Sequence, residues 1–249
     1  EGLRVNFAVF LWIPTVISVP GQMAIDVKTI IAQGDLEVSG RLVDASNATL
    51  FATASLGGQS ADVIYKPIAG ERPLWDFPDG TLAGREVAAY LFSHWSGFNI
   101  VPFTTFRDGP YGPGAVQEWI TVDPDVDVIE LAQSFDTRLR NIVIFDAVIN
   151  NTDRKIGHLL PSIEGHLFGC DHGVSFHEED KLRTVLWQWE GQSLTATEIS
   201  DLRGMFEKFQ EFEEISSELL TARELSATHK RIELLLKEAV FPSPSDKWP

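Results

Sequence analysis

The 249 residues predict an α+β fold in two parts: a small, mostly antiparallel sheet with one helix, followed by a helix-rich second half. Two observations lead there. From about residue 35 to 121 the apolar residues alternate with polar ones between turn-forming clusters. After the acidic run "VDPDVD" at 122–127, which reads as a linker, the recurrence becomes helical.

The elements follow in order. "DLEVSGRLV" (35–43), "LFATASL" (50–56) and "ADVIYKP" (61–67) are strand-like runs, parted by "DASNAT" and "GGQS". After the loop "GERPLWDFPDG", the stretch "TLAGREVAAYLFSHW" (81–95) sets Val87, Leu91 and Trp95 on one helical face, and Gly97 ends it. "IVPFTTFRD" and "AVQEWIT" make two more strands around the turn-rich "GPYGPG". In the tail, 195–240, Thr195 and Glu198 form a capping box ahead of helical periodicity, which "FPSPSDKWP" stops. The domain reading is an extension of unclear role over 1–22, a sheet lobe over 23–121 and a helical lobe over 122–249.

Composition limits the function classes. With 44% hydrophobic and 22% charged residues the chain has enough apolar material for a large core, or for two lobes. A formal charge of −16 argues against nucleic acid as a partner and against adhesion to an anionic membrane by net charge. Membrane contact is expected to be peripheral at most. The run "FAVFLWIPTVISV" (7–19) is interrupted by Pro14 and shorter than the roughly 20 residues of a spanning helix. It reads as a strand pair, an upstream extension or the apolar part of a signal peptide. The single cysteine, Cys170, forms no internal disulfide, and the expected location is cytoplasmic. Eight acidic against three basic residues between 198 and 224 read as a solvated helix face.

The chemistry concentrates in "NNTDRKIGHLL" (150–160) and "FGCDHGVSF" (168–176). An Asn-Asn-Thr-Asp run after an apolar segment reads first as a surface turn. A second Asp, eighteen residues on and again between apolar residues, points elsewhere. Phosphoryl transfer needs a backbone cradle for phosphates, a cation, metal ligands and a group acting on the attacking hydroxyl. Ser46, Asn47, Ala48 and Thr49 form a candidate cradle between two strands, and equally an ordinary hairpin turn. Lys66 shares a strand face with Ile64, as a snorkelling edge residue or a cation awaiting an anion. Glu86, near the start of its helix, can pair with Lys66, although Glu in a first turn also suits the helix dipole.

With Asp153, His158 at i+5 and Asp171-x-Gly, this set resembles the catalytic loop and metal-binding motif of phosphatidylinositol 3- and 4-kinases, above all the type II 4-kinases. The resemblance covers about 35–195 and implies a two-lobed protein-kinase-like fold with ATP between the lobes. It implies that Asp153 acts on the acceptor hydroxyl, with Arg154 and Lys155 as the nearest cations. It assigns Asp171 to Mg²⁺, Gly173 to the turn after it, and Lys66 to the phosphates. The hinge that recognises adenine would be Gln117, Glu118, Trp119 and Ile120.

His158 stands where these kinases usually carry Asn, which leaves Mn²⁺ open beside Mg²⁺. The segment after Asp171 offers only Lys181 and Arg183 against Glu178, Glu179 and Asp180, so a phosphorylated inositol head group is a poorer match than the kinase assignment. The expected acceptor is a hydroxyl of an inositol-containing molecule or of a protein. The alternatives are a Ser/Thr kinase of the HipA type and a nucleotide-binding pseudokinase that acts as an interaction module.

A zinc site from His166, Cys170, His172 and His177 fits the usual spacings only in part. No G-x-S-x-G occurs, and Cys170 has no identifiable base beside it. Trp75, Trp187 and Trp189 read as packing residues or as an apolar rim.

Overall fold

The computed structural model describes residues 24–42 and 47–243. The apolar run at 7–19 and Ser46 lie outside them. Strands β1 (Asp35–Arg41), β2 (Leu50–Leu56), β3 (Gln59–Pro67), β4 (Thr104–Gly109) and β5 (Gly112–Glu118) form one antiparallel sheet in the order β1-β2-β3-β5-β4. A short helix not anticipated from the sequence, α1 (Val27–Gln33), lays Ile30 and Ile31 against Ala52, Ala54, Val63, Tyr65 and Val116, which makes the core of the sheet lobe. The β4–β5 turn is tighter than "GPYGPG" suggests, because Gly109 pairs directly with Gly112.

Helix α2 (Leu82–Trp95) follows β3 in sequence and packs on both halves, with Ala83 and Val87 against Ala115 of β5. Its Ala88, Ala89 and Phe92 belong to the large core with α4 (Thr137–Ile149), α5 (Ala196–Glu207), α6 (Phe209–Ser216) and α7 (Ala222–Glu238). Phe92 meets Phe212 edge-on at 5.0 Å between ring centres. The fully buried Arg85 pairs with Glu224 of α7. Thr195 and Glu198 make the expected capping box on α5, and Thr221 and Glu224 make a second one on α7. In the acidic linker, Asp127 caps α3 (Val128–Gln133) by accepting the N–H groups of Ile129 and Glu130.

A two-stranded ribbon, β6 (Leu159–Pro161) with β7 (Leu167–Gly169), projects the segment that carries Asp171. The tryptophans do not share a rim: Trp189 is buried, Trp187 packs on the helical core, and Trp75 is 83% exposed. Among the described residues no helix is long and apolar enough to cross a membrane.

Candidate active site

The loop that carries Asp153 is built by the end of α4. Asn150 stops the helix by taking a left-handed conformation (φ 54°), which asparagine tolerates. Its amide donates to the carbonyls of His177 and Glu179, and its oxygen accepts the Lys181 N–H. Asn151 donates to Asp146 and accepts the Asp153 N–H at 3.1 Å. Both asparagines are fully buried, so the Asn-Asn-Thr-Asp run is an internal frame and not the surface turn its composition suggests. Asp153 is held half-buried, with the exposed Lys155 ammonium 2.7 Å from one oxygen.

Arg154 corrects the sequence reading. Its guanidinium forks onto Asp146 at 2.7 and 2.9 Å, and also donates to the Cys170 carbonyl and to His172 Nε2. Neither Arg154 nor Asp146 reaches solvent, so Arg154 ties the two loops together and presents no cation to a substrate. Guanidinium only donates, so His172 Nε2 accepts and its proton sits on Nδ1.

Asp171 joins the lobes. Its Oδ1 lies 2.9 Å from Lys66 Nζ on β3, and its Oδ2 lies 3.4 Å from His158 Nε2. Lys66 also pairs with Glu86, whose second oxygen accepts the His172 N–H at 3.1 Å. Glu86 is the fifth residue of α2 and not in its first turn, so the helix dipole does not account for it. Asp171 itself is left-handed (φ 62°), whereas Gly173 is not; a side chain at Gly173 would meet Glu86 at 3.4 Å.

The electrostatics follow from one cation serving two carboxylates. Lys66 lowers the Asp171 carboxyl below the usual carboxylate range, against the upward pull of burial. Burial raises Glu86, opposed by Lys66. Burial opposes the charge on Lys66 itself, but the two carboxylates raise it above an ordinary lysine. Burial lowers His158, leaving a neutral imidazole beside an ionised carboxylate. Burial also pushes the Cys170 thiol up to about 11, which removes it as a nucleophile.

Asp171 and His158 would hold a divalent ion such as Mg²⁺ or Mn²⁺, which would supply charge neutralisation to a phosphate group. They do not suit a closed four-ligand zinc site, and no group of three or more His, Cys, Asp or Glu gathers for a metal among the described residues. The three histidines of the zinc reading are engaged separately, His166 with the Asn99 carbonyl, His172 with Arg154 and His177 with the Phe77 ring, and Cys170 is half-buried.

In the candidate cradle, the Ala48 N–H donates to the Gly70 carbonyl and Asn47 accepts the Arg72 N–H, so these groups fasten the residues just before β2 to the chain after β3. In the segment expected to form the hinge, the Glu118 N–H donates to Phe103 and the Trp119 N–H to Asp62, while the buried Gln117 side chain donates to Thr104. These two amides are held within the sheet lobe. Phe51 and Gln117 both lie opposite Ile64 in register, so they share its face with Lys66, and the Trp119 ring stands edge-on to Phe51 at 5.1 Å.

A second bridge between the lobes comes from the loop 71–81. Asp76 pairs with Lys181 at 2.8 Å, Phe77 packs edge-on against His177, and Arg85 donates to the Ser175 carbonyl. The same loop walls a cavity of about 360 Å³ lined by Ile68, Leu74, Phe77 and Leu82. Sequence reasoning missed Asp146, the bond between His172 and Arg154, and the Asp76–Lys181 pair. A carboxylate inside the apolar run "RNIVIFDAVI" was a signal for the first; the ion pair spans 105 residues and leaves no local mark.

No protein-family model matches the chain. It is 39% identical over 260 residues to protein Rv2133c of Mycobacterium tuberculosis, across 90% of this chain and 94% of that protein. Among solved structures it is similar to the Helicobacter pylori proinflammatory kinase CtkA, with a TM-score of 0.50 at 12% identity, covering 84% of this chain and 94% of that one. The fold is therefore two-lobed and kinase-like.

Proposed function

The chain belongs to the family of protein Rv2133c, and for it we propose an ATP-dependent phosphotransferase of the phosphatidylinositol 3-/4-kinase-like type, acting on a hydroxyl acceptor. One observation carries the reading: Lys66 Nζ is bonded at once to Glu86 and to Asp171, with His158 on the other Asp171 oxygen. That arrangement supports phosphate contact by Lys66, oriented by Glu86, and metal contact by Asp171 and His158. ATP would supply the phosphoryl group, and a divalent ion would neutralise its charge. Asp153 takes the proton of the acceptor hydroxyl as the acceptor oxygen bonds to the γ-phosphorus and ADP leaves with the electron pair of the broken bond. Phe51, Ile64 and the hinge residues Gln117–Ile120 line the base side.

The test is transfer from γ-labelled ATP to phosphatidylinositol vesicles, soluble inositol phosphates and proteins, with Mg²⁺ and Mn²⁺ compared. Labelled product that requires a metal and Asp153 is the expected result. The imidazole at 158 favours one other reading, a pseudokinase serving as an interaction module. Metal-independent ATP binding without turnover under any condition would establish that reading instead.

A further inference from the structure

Trp75 is 83% exposed, yet a cation sits under its ring. It lies on a one-bridge hairpin, Leu74 to Phe77, and the Lys181 ammonium stands 4.7 Å from its ring centre. The adjacent Asp76 pairs with that same Lys181, their side chains only 8% and 4% exposed. Stability explains neither feature well. An indole left in water forgoes the largest apolar burial a side chain offers, and a buried ion pair is often no more stable than an apolar pair of similar size. Together they do one thing, which is to fix the indole.

Its location supplies the reason. The Lys181 N–H donates to the Asn150 side chain, the Arg183 N–H to the Asn151 carbonyl, and the Arg154 N–H to the Arg183 carbonyl. The segment beneath Trp75 is thus bonded to the loop on both sides of Asp153. Resting on the phosphotransferase reading, we propose that Trp75 is an acceptor-contacting residue, the face against which the phosphoryl acceptor lies, and that Asp76 and Lys181 are its positioning pair. The acceptor it fits carries an apolar or flat face beside its hydroxyl and is neutral or cationic. Glu178, Glu179 and Asp180 occupy the adjoining turn and Asp76 already engages Lys181, which leaves the exposed Arg183 against three carboxylates, so the charge balance of the segment disfavours an anionic group.

The experiment measures labelled transfer to three probes, myo-inositol, myo-inositol 1-phosphate and a serine peptide bearing Lys and Tyr, alongside ATP binding. The wild type should use the neutral or the cationic probe in preference to the phosphorylated one. Trp75→Ala should raise the KM for the accepted probe about tenfold and lower the ratio of transfer to ATP hydrolysis, with Trp75→Phe recovering most of both. Asp76→Asn should reproduce the KM rise, and the swap D76K/K181D should restore part of it, which a general loss of stability would not do.

A Trp75→Ala KM within about twofold of wild type, a preference for the phosphorylated probe, or no transfer to any probe while ATP still binds would each overturn the proposal alone. A wild-type protein that binds no ATP would overturn the phosphotransferase reading, and the proposal with it.

Discussion

Arg154 forks onto Asp146 in the interior, Nη2 2.7 Å from one carboxylate oxygen and Nε 2.9 Å from the other, with both side chains shut off from solvent. The pair fastens the loop that carries Asp153 to the last turn of α4. Removing one partner leaves a buried charge without compensation. Asp146→Ala should therefore destabilise the fold by about 3–5 kcal/mol. Arg154→Lys should not preserve stability, because an ammonium cannot span both carboxylate oxygens and the Cys170 carbonyl at once. Denaturant unfolding measures both, and a loss below about 1 kcal/mol for Asp146→Ala would contradict the role.

Glu86 serves two lobes at once, holding Lys66 with one oxygen and the His172 N–H with the other. Glu86→Gln should weaken ATP binding and also speed amide exchange at His172, whose N–H loses a charged acceptor. Lys66→Ala should weaken ATP binding by about tenfold or more while leaving that amide protected by Glu86. Calorimetric titration with ATP and hydrogen exchange read the two effects separately. Unchanged exchange at His172 in Glu86→Gln would refute the double role.

In the proposed reaction His158 should set the acid limit of activity. Burial lowers its pKa, so it is neutral at pH 7 and able to ligate. Protonation competes with metal, and activity should fall only once the pH drops below the ordinary histidine value of about 6.5. The unfolded chain binds the proton more readily, so folded stability should also decline as pH falls through that value. His158→Asn should remove this acid limb of the activity profile and reduce any preference for Mn²⁺ over Mg²⁺. Rate profiles from pH 5 to 8 with each metal test this; an acid limb unchanged in His158→Asn would exclude His158 as its source.

Much of the fold was legible because local pattern and tertiary role agree. The limits of β2 match the alternation in "LFATASL", and α2 begins within one residue of the expected start. The three-residue strands β6 and β7 are too short to show a period, and α1 spans only seven residues. At the site, the order Lys66, Glu86, His158, Asp171 names four residues that the structure places in contact. Charge type alone misled at Arg154, because nothing in "TDRK" shows that the buried Asp146 of α4 claims the guanidinium. Likewise Asn150 and Asn151 look like turn residues until the chain segments they hold are known. Such long-range polar pairings depend on the assembled fold and carry no local periodicity.

In the proposed reaction two carboxylates divide the work, Asp171 through the metal and phosphates and Asp153 on the acceptor hydroxyl. Asn is the replacement of choice at 171, because the residue there is left-handed (φ 62°) and Ala would add backbone strain of its own. The most direct measurement is calorimetric titration of ATP with Mg²⁺ or Mn²⁺ into the wild type, Asp171→Asn and Asp153→Ala, paired with labelled transfer by the same three proteins. The expected result is metal-dependent binding in the wild type, its loss in Asp171→Asn, and retention of binding without transfer in Asp153→Ala. Equal loss of ATP affinity in both variants would contradict it.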